Sequence, residues 1–179
     1  MNNLNSASHL REGFPPMLTI RPYQAGDWST IWPLLQTTFS TGDTYSFAPD
    51  SSEHDIHSAW IDYPLATYVA CTAEGTLVGT YFLKANQTGL GSHVCNCGYV
   101  VAPAARGQGV ASALCEHSQQ AARAAGFRSM QFNLVVATNL TAMRLWQNLG
   151  FAIVGTLPGA FQHQRLGFVD AHVMFKQLQ

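Results

Sequence analysis

The stretch Val100-Val101-Ala102-Pro103-Ala104-Ala105-Arg106-Gly107-Gln108-Gly109-Val110-Ala111 has residue types suited to holding an anion. An apolar run ends at Pro103, a loop with two glycines follows, and an amphipathic helix begins near Gly109. The N–H groups of a helix's first turn have no partner within the helix. The helix dipole adds to their pull on anions, phosphates above all. Glycine lets the backbone come close to a ligand. On these residues alone the loop is either a cradle for a pyrophosphate or an ordinary strand-to-helix turn. It lacks the Gly-Lys-Ser/Thr ending of a Walker loop. It also lacks the Gly-x-Gly-x-x-Gly spacing and acidic follow-on of a dinucleotide fold.

Two amides also stand out. Asn96 lies in the apolar run before the loop, and Asn133 interrupts Phe132-Asn133-Leu134-Val135-Val136. Buried amides need hydrogen-bond partners, so both read as candidate polar groups of a site or as groups that only satisfy nearby backbone. No Asp or Glu occurs between Glu74 and Glu116, and His93 is the one group there that titrates near neutral pH. Cys95 and Cys97 are candidate thiol nucleophiles, with small buried packing the favoured reading. Together with Cys71 and Cys115 they are expected to be reduced thiols of a cytoplasmic protein. No second Cys/His pair at zinc spacing accompanies them, so no metal is expected.

The elements that must position these residues follow from periodicity. Met17–Pro22 reads as a strand, and Asp27 as the cap of a helix to about Phe39. A second helix is expected over about Ser52–Asp62, with Ile56, Ala59, Trp60 and Tyr63 inward. Ala66–Thr72 and Leu77–Ala85 read as strands joined by a hairpin turn. Val94–Val101 is the strand before the loop. Gly109–Ala125 is a helix with Val110, Leu114, Ser118, Ala121, Ala122 and Ala125 inward, ended by Gly126. Met130–Val136 reads as a strand buried on both faces. A helix over Asn139–Leu149 and two last strands, Phe151–Thr156 and Val169–Lys176, complete the pattern. The last two strands are joined by an expected loop, Leu157–Gly167. Helices interleave with strands, so the class is α/β or α+β with a mixed sheet.

Composition bounds the partners. The chain has 179 residues, 11% charged, with a formal net charge of −1. No basic stripe suits a nucleic acid, and no apolar run has the length of a membrane span. Residues 1–16 read as a disordered leader and 17–179 as one domain.

The decisive companion of the glycine loop comes one strand later, in Asn139-x-x-Ala142-x-x-Leu145-Trp146-x-x-x-Gly150-Phe151. Together the two resemble the GNAT superfamily of acyl-CoA-dependent N-acetyltransferases. Arg106-x-x-Gly109-x-Ala111 matches that family's signature for the coenzyme A pyrophosphate. The resemblance covers about Leu18 to Leu178. It implies a central mixed, mostly antiparallel sheet, splayed between two parallel strands and flanked by about four helices. It implies acetyl-CoA as cofactor, met by the backbone of Tyr99, Val100 and Val101 along the pantetheine. The amides of Gly107, Gln108, Gly109, Val110 and Ala111 would hold the pyrophosphate, with Arg106 nearby. Asn139 would lie near the sulfur end, and a free N–H at Val101 would serve as oxyanion donor. Homodimers are common among such proteins, so a homodimer is also expected.

Two departures from the family pattern matter. Many members carry a tyrosine that protonates the leaving thiolate, and here that position is Trp146. Indole is no acid at neutral pH, but a thiol with a pKa of roughly 8.5 leaves tolerably without help. Trp146 then packs against the pantetheine, the substrate or the core. The second departure is the missing glutamate before the loop, which leaves His93 as a candidate base. Asn96 and Asn133, followed by Asn139 and Trp146, look like the fungal proline-analogue acetyltransferases, which act on azetidine-2-carboxylate. Gly155–Phe161 and Phe168–Ala171 resemble that group too. The likeness implies that Asn96 and Asn133 hold the substrate and take part in catalysis. Tyr45 and Phe161 are expected to wall the acceptor site, from the loops Thr44–Phe47 and Leu157–Gln164. His163 and Arg165 are candidates to meet a substrate carboxylate or are simply exposed. The expected activity is acetyl transfer to a small amine, amino acid or imino acid. The competing expectation is an acyl-CoA-binding sensor with little catalysis.

Overall fold

The computed structural model describes residues 18–179, so the expected leader and Met17 lie outside the described residues. The elements in order are β1 (Thr19–Pro22), α1 (Trp28–Phe39), α2 (Glu53–His57), β2 (Ala66–Cys71), β3 (Leu77–Ala85), β4 (Val94–Val101), α3 (Val110–Ala124), β5 (Ser129–Val136), α4 (Leu140–Asn148), β6 (Ala152–His163) and β7 (Gly167–Gln177). The seven strands form one sheet in the order β1-β2-β3-β4-β5-β7-β6. Every neighbouring pair is antiparallel except β4 and β5. Those two run parallel and meet only at Val94–Ser129 and Cys95–Met130. The expected mixed sheet, opened between two parallel strands and flanked by four helices, is the sheet observed.

Each face of the sheet has its own core. On one face Ile31 and Leu35 of α1, Ile56 of α2 and Trp60 pack on Val69, Phe82 and Val100. Trp60 is fully buried, and its indole N–H donates to Thr80 Oγ1 at 3.2 Å. On the other face Val110 and Leu114 of α3 and Trp146 of α4 pack on Tyr81, Leu83, Met130 and Met174. The hydroxyls of Tyr81 and Tyr99 reach α3 at His117 (2.8 Å) and Ser118 (2.7 Å).

Several expectations are corrected. The second helix is α-helical only to His57 and widens to a π-turn over Ser58–Asp62. The wider turn swings Tyr63 outward, where it is 78% exposed. Ala125 is exposed rather than inward, because α3 ends at Ala124. β5 is not buried on both faces: Asn133 is exposed. The expected loop Leu157–Gly167 is mostly strand, because β6 runs on to His163. Pro158 and Gly159 read as loop signals, yet β6 is an edge strand, where a missing N–H breaks no ladder bond. A register shift between Leu157 and Phe161 absorbs Gly159, whose φ is 59°.

Asp27 precedes α1 as expected, but its carboxylate does not cap that helix. It accepts two bonds of 2.8 Å from Arg21 and one of 2.8 Å from Gln24 N–H. Chiefly through the Arg21 bonds, its pKa is held below the usual carboxylate value. The resulting stability is present above about pH 4 and is lost as pH falls through the lowered folded pKa. Asp27→Asn is therefore expected to lower the melting temperature at neutral pH and to flatten its fall in acid. Thermal melts of both proteins across that range check this; equal acid slopes would show that the pair contributes nothing.

Candidate active site

The site begins where β4 and β5 part. Asn86 N–H bonds Val94 O, and Ala102 N–H bonds Val78 O. Strand alternation then turns the backbone groups of Asn96, Gly98 and Val100 toward β3. Those of Cys97, Tyr99 and Val101 turn toward β5, which has moved away. The expectation that Val100 meets a cofactor through its backbone is thereby corrected, since its N–H and C=O are committed to β3 opposite Thr80. Its side chain is buried in the α1 core. Cys97 and Val101 have no ladder partner across the gap.

Tyr99 has one of another kind. The Tyr45 hydroxyl accepts from Tyr99 N–H at 2.8 Å and donates to Tyr99 C=O at 2.7 Å. Tyr45 reaches the gap from the loop after α1, where Phe39, Phe47 and Trp60 surround its ring at 4.9–6.3 Å. The tip of the β6–β7 hairpin braces the base of this loop, with Gln164 N–H bonded to Gly42 O at 3.0 Å. Gly42 has φ 60°, and a Cβ there would meet the Gln164 side chain.

A cavity of about 450 Å³ lies at the gap and is lined by residues from both faces of the sheet. On the α1 side it is lined by Tyr45, Phe47, Phe82, Lys84, Asn96 and Asn133. On the α4 side it meets Tyr99, Phe132, Asn139 and Trp146. The structure thus brings Tyr45, Asn96, Tyr99, Asn133, Asn139 and Trp146 to one space.

The amides form a chain. Asn96 Nδ2 donates to Gln131 O at 2.8 Å, the carbonyl that Cys97 N–H would take if the ladder continued. Gln131 Nε2 donates to Asn133 Oδ1 at 2.8 Å, and Asn133 Nδ2 donates to Asn86 Oδ1 at 2.7 Å. Asn133 is therefore oriented from both ends while its amide faces the cavity. On the opposite wall Trp146 packs between Tyr99 and Phe132, each 5.1 Å away between ring centres. Asn139 Oδ1 caps α4 by accepting from Ala142 N–H at 3.1 Å.

Other expected site residues lie elsewhere. Phe161 is 5% exposed and paired with Val169 inside the β6–β7 hairpin, so it does not line the cavity. His163 is buried beside it and accepts from Arg165 N–H. His93 is exposed in the turn before β4, with its ring near Leu90 O. No carboxylate and no imidazole lines the cavity among the described residues. Burial raises the Cys97 thiol and the Tyr45 and Tyr99 phenols above their ordinary pKa values, so all three are neutral at pH 7. Cys97 is thus no thiolate nucleophile.

The glycine loop sits beyond the cavity at the start of α3. Gly107 and Gly109 have φ of 75° and 81°, the left-handed region that side chains rarely adopt. Gly109 is the N-cap, and it offers no side-chain cap to the first turn of α3. Gln108 Nε2 turns back onto Ala104 O at 2.9 Å. Arg106 is exposed beside the loop.

A family model described as the acetyltransferase (GNAT) family matches residues 28–151, a span that contains both the gap and the glycine loop. The chain belongs to that family. This GNAT chain is 38% identical over 101 residues to N-acetyltransferase aca1 of Schizosaccharomyces pombe, a match over 55% of this chain and 47% of the relative. It therefore spans about half the length of that curated relative. It superposes on a GCN5-related N-acetyltransferase from Kribbella flavida with a TM-score of 0.85 and 40% identity, over 89% of this chain and 97% of the other. A GNAT phosphinothricin acetyltransferase from Sinorhizobium meliloti, solved in complex with AcCoA, superposes with a TM-score of 0.79 and 20% identity, over 89% and 88% of the two chains. At that identity the likeness speaks for the fold alone.

Sequence reasoning missed Lys84, Asn86, Gln131 and Phe82. For Phe82, Lys84 and Asn86 the signal lay in the alternation along β3 and one residue past it, which puts them on one face, and for Gln131 in its place two residues before Asn133 on β5. That face joins the site only once the register opposite Asn96 is known.

Proposed function

We propose that this chain is an N-acetyltransferase that moves an acetyl group from acetyl-CoA to the amino or imino group of a small acceptor, in a ternary complex. The observation that carries this reading is the cavity at the opened sheet, with oriented amides on one face and Trp146 and Asn139 on the other. Acetyl-CoA supplies a thioester carbonyl for direct attack by the acceptor nitrogen.

The chain's own groups fit such a ligand. The backbone of Val101, and that of Tyr99 once the Tyr45 hydroxyl releases it, offers strand-like pairing along the gap, with the Val101 N–H as oxyanion donor. The N–H groups of Gly107–Ala111 suit the pyrophosphate, with Arg106 beside them. Asn139 keeps its Nδ2 available while Oδ1 caps α4, and Trp146 gives a flat apolar wall. Asn96 and Asn133 orient the acceptor, and Tyr45 closes its chamber. With no carboxylate or imidazole in the cavity, catalysis rests on positioning and on oxyanion stabilisation. An ammonium acceptor must shed its proton to solvent before attack.

The four cysteines are buried and free, which favours a reducing compartment such as the cytoplasm. Exposed Val154 and Leu157 on the edge strand β6, with Phe168 on β7, favour a homodimer through that end of the sheet.

The test is steady-state release of CoA thiol from acetyl-CoA across a panel of amino acids, imino acids and amines. Turnover with at least one small acceptor is expected. Tight acetyl-CoA binding with no turnover across the panel would make the chain an acyl-CoA sensor instead.

A further inference from the structure

Side-chain amines are scarce in this chain, which has two lysines, Lys84 and Lys176. The Lys176 ammonium donates to Gln119 Oε1 and to Leu149 O, each at 2.6 Å. Its nitrogen is tied up there, and it lines no part of the cavity. Lys84 differs on both counts. It lies near the end of β3, half-buried, and lines the cavity. The ion pairs among the described residues are Arg21–Asp27 and His57–Asp62, and neither involves Lys84.

The Lys84 side chain folds back along its own strand. Its ammonium sits 5.3 Å from the centre of the Phe82 ring, two residues earlier on β3. Phe82 pairs with Gly98 of β4, and its ring lies on that glycine, where a Cβ would meet Phe82 Cε1 at 2.6 Å. Lys84 itself pairs with Asn96. The amine is thus directed along β4 from Asn96 toward Gly98, past the last β4–β5 pair at Cys95. That is the direction of Tyr99 and Val101, where the opened strand meets its ligand.

We infer that Lys84 Nζ is itself an acetyl acceptor: with acetyl-CoA bound and no small amine in the chamber, the chain acetylates its own Lys84 and so blocks its own acceptor site. The inference rests on the acetyltransferase reading above. In the step, the ammonium first gives one proton to solvent. The freed electron pair forms an N–C bond to the thioester carbonyl carbon, and the C–S bond breaks. The proton that the nitrogen sheds as the amide forms ends on the sulfur, so CoA leaves as the thiol. The Val101 N–H serves this acceptor as it would a small one. Tethering gives the amine a high effective concentration beside the gap. A small acceptor competes by occupying the same chamber. The product is a neutral amide, bulkier than the ammonium, and it cannot diffuse away as a free product does.

The experiment incubates the whole chain with acetyl-CoA alone and follows acetylation of Lys84 and Lys176 by peptide mass spectrometry. Lys84 should fill to near completion while Lys176 stays unmodified, with a rate constant independent of protein concentration. A small acceptor held at about ten times its KM should slow the filling about tenfold, since it occupies the chamber most of the time. Acceptor turnover should fall in step with the acetyl content of Lys84. Lys84→Arg keeps the charge but offers no amine to acetylate, and the same preincubation should cost it no turnover. An unmodified Lys84 in a chain that turns over small acceptors overturns the inference and leaves the acetyltransferase reading standing. Equal filling of both lysines, or a Lys84 rate that no acceptor slows, overturns it as well, because the transfer is then plain solution chemistry. A rate constant that rises with protein concentration overturns it by showing transfer between chains. Full turnover by a fully acetylated chain puts Nζ outside the chamber and overturns it too. A chain that neither modifies Lys84 nor turns over any acceptor removes that reading and this inference together.

Discussion

Asn133→Ala and Asn96→Ala are each expected to lower kcat/KM for the acceptor by about a hundredfold or more, a loss of roughly 2.7 kcal/mol of transition-state stabilisation. The affinity for acetyl-CoA should stay close to that of wild type. Asn133 is fixed by Gln131 on one side and Asn86 on the other, so its amide meets a substrate without first losing freedom. Such fixed polar groups are worth more in a partly closed chamber than in water. The two variants should differ in stability. Asn133 is exposed, and water can replace it against Gln131 and Asn86. Asn96 is half-buried, and its removal leaves Gln131 O without its donor at a cost of about 1 kcal/mol. Acceptor kinetics read beside thermal melts separate the two effects. Full activity in both variants would remove these amides from the site.

The second large effect concerns the glycine loop. Gly109→Val is expected to raise the KM for acetyl-CoA about thirtyfold while the protein remains folded. Nothing lies within 4 Å of a Cβ built at Gly109, so the substitution meets no clash inside the protein. The difficulty is the φ of 81°, which disfavours a β-branched residue by about 1–2 kcal/mol. The loop relaxes away from that conformation, and the N–H groups at the start of α3 lose their common aim. The added side chain also stands where a ligand must approach the backbone closely. Isothermal titration with acetyl-CoA and a thermal melt distinguish a damaged ligand site from a damaged fold. An unchanged KM would show that the pyrophosphate rests elsewhere.

Much of this site was legible in the residues themselves. Gly107 and Gly109 marked a loop before a helix, and in the structure both adopt positive φ. Asn139 marked the start of α4, and the apolar runs around Asn96 and Asn133 marked the two strands that part. Faces and edges were less legible. Whether Val100 or Val101 turns its N–H into the gap depends on the β3–β4 register, which no local pattern carries. Phe161 read as a loop aromatic because Pro158 and Gly159 precede it, and only an edge position lets a strand absorb both. Lys84, near the end of β3, carried no signal of its own in the sequence. Its place in the cavity lining depends on Asn96 of β4 and Asn133 of β5, which no local pattern sets beside it.

The Tyr45 hydroxyl has a consequence for how the sheet tolerates being open. With one oxygen it answers both an amide and a carbonyl of β4, as a peptide unit of a missing strand would. The wedge between β4 and β5 thus holds a stopper that imitates backbone. A ligand with an amide of its own, sliding along β4, exchanges like for like when it pushes that ring aside. Between visits the cleft neither closes by pairing the two strands nor leaves Tyr99 bare to water.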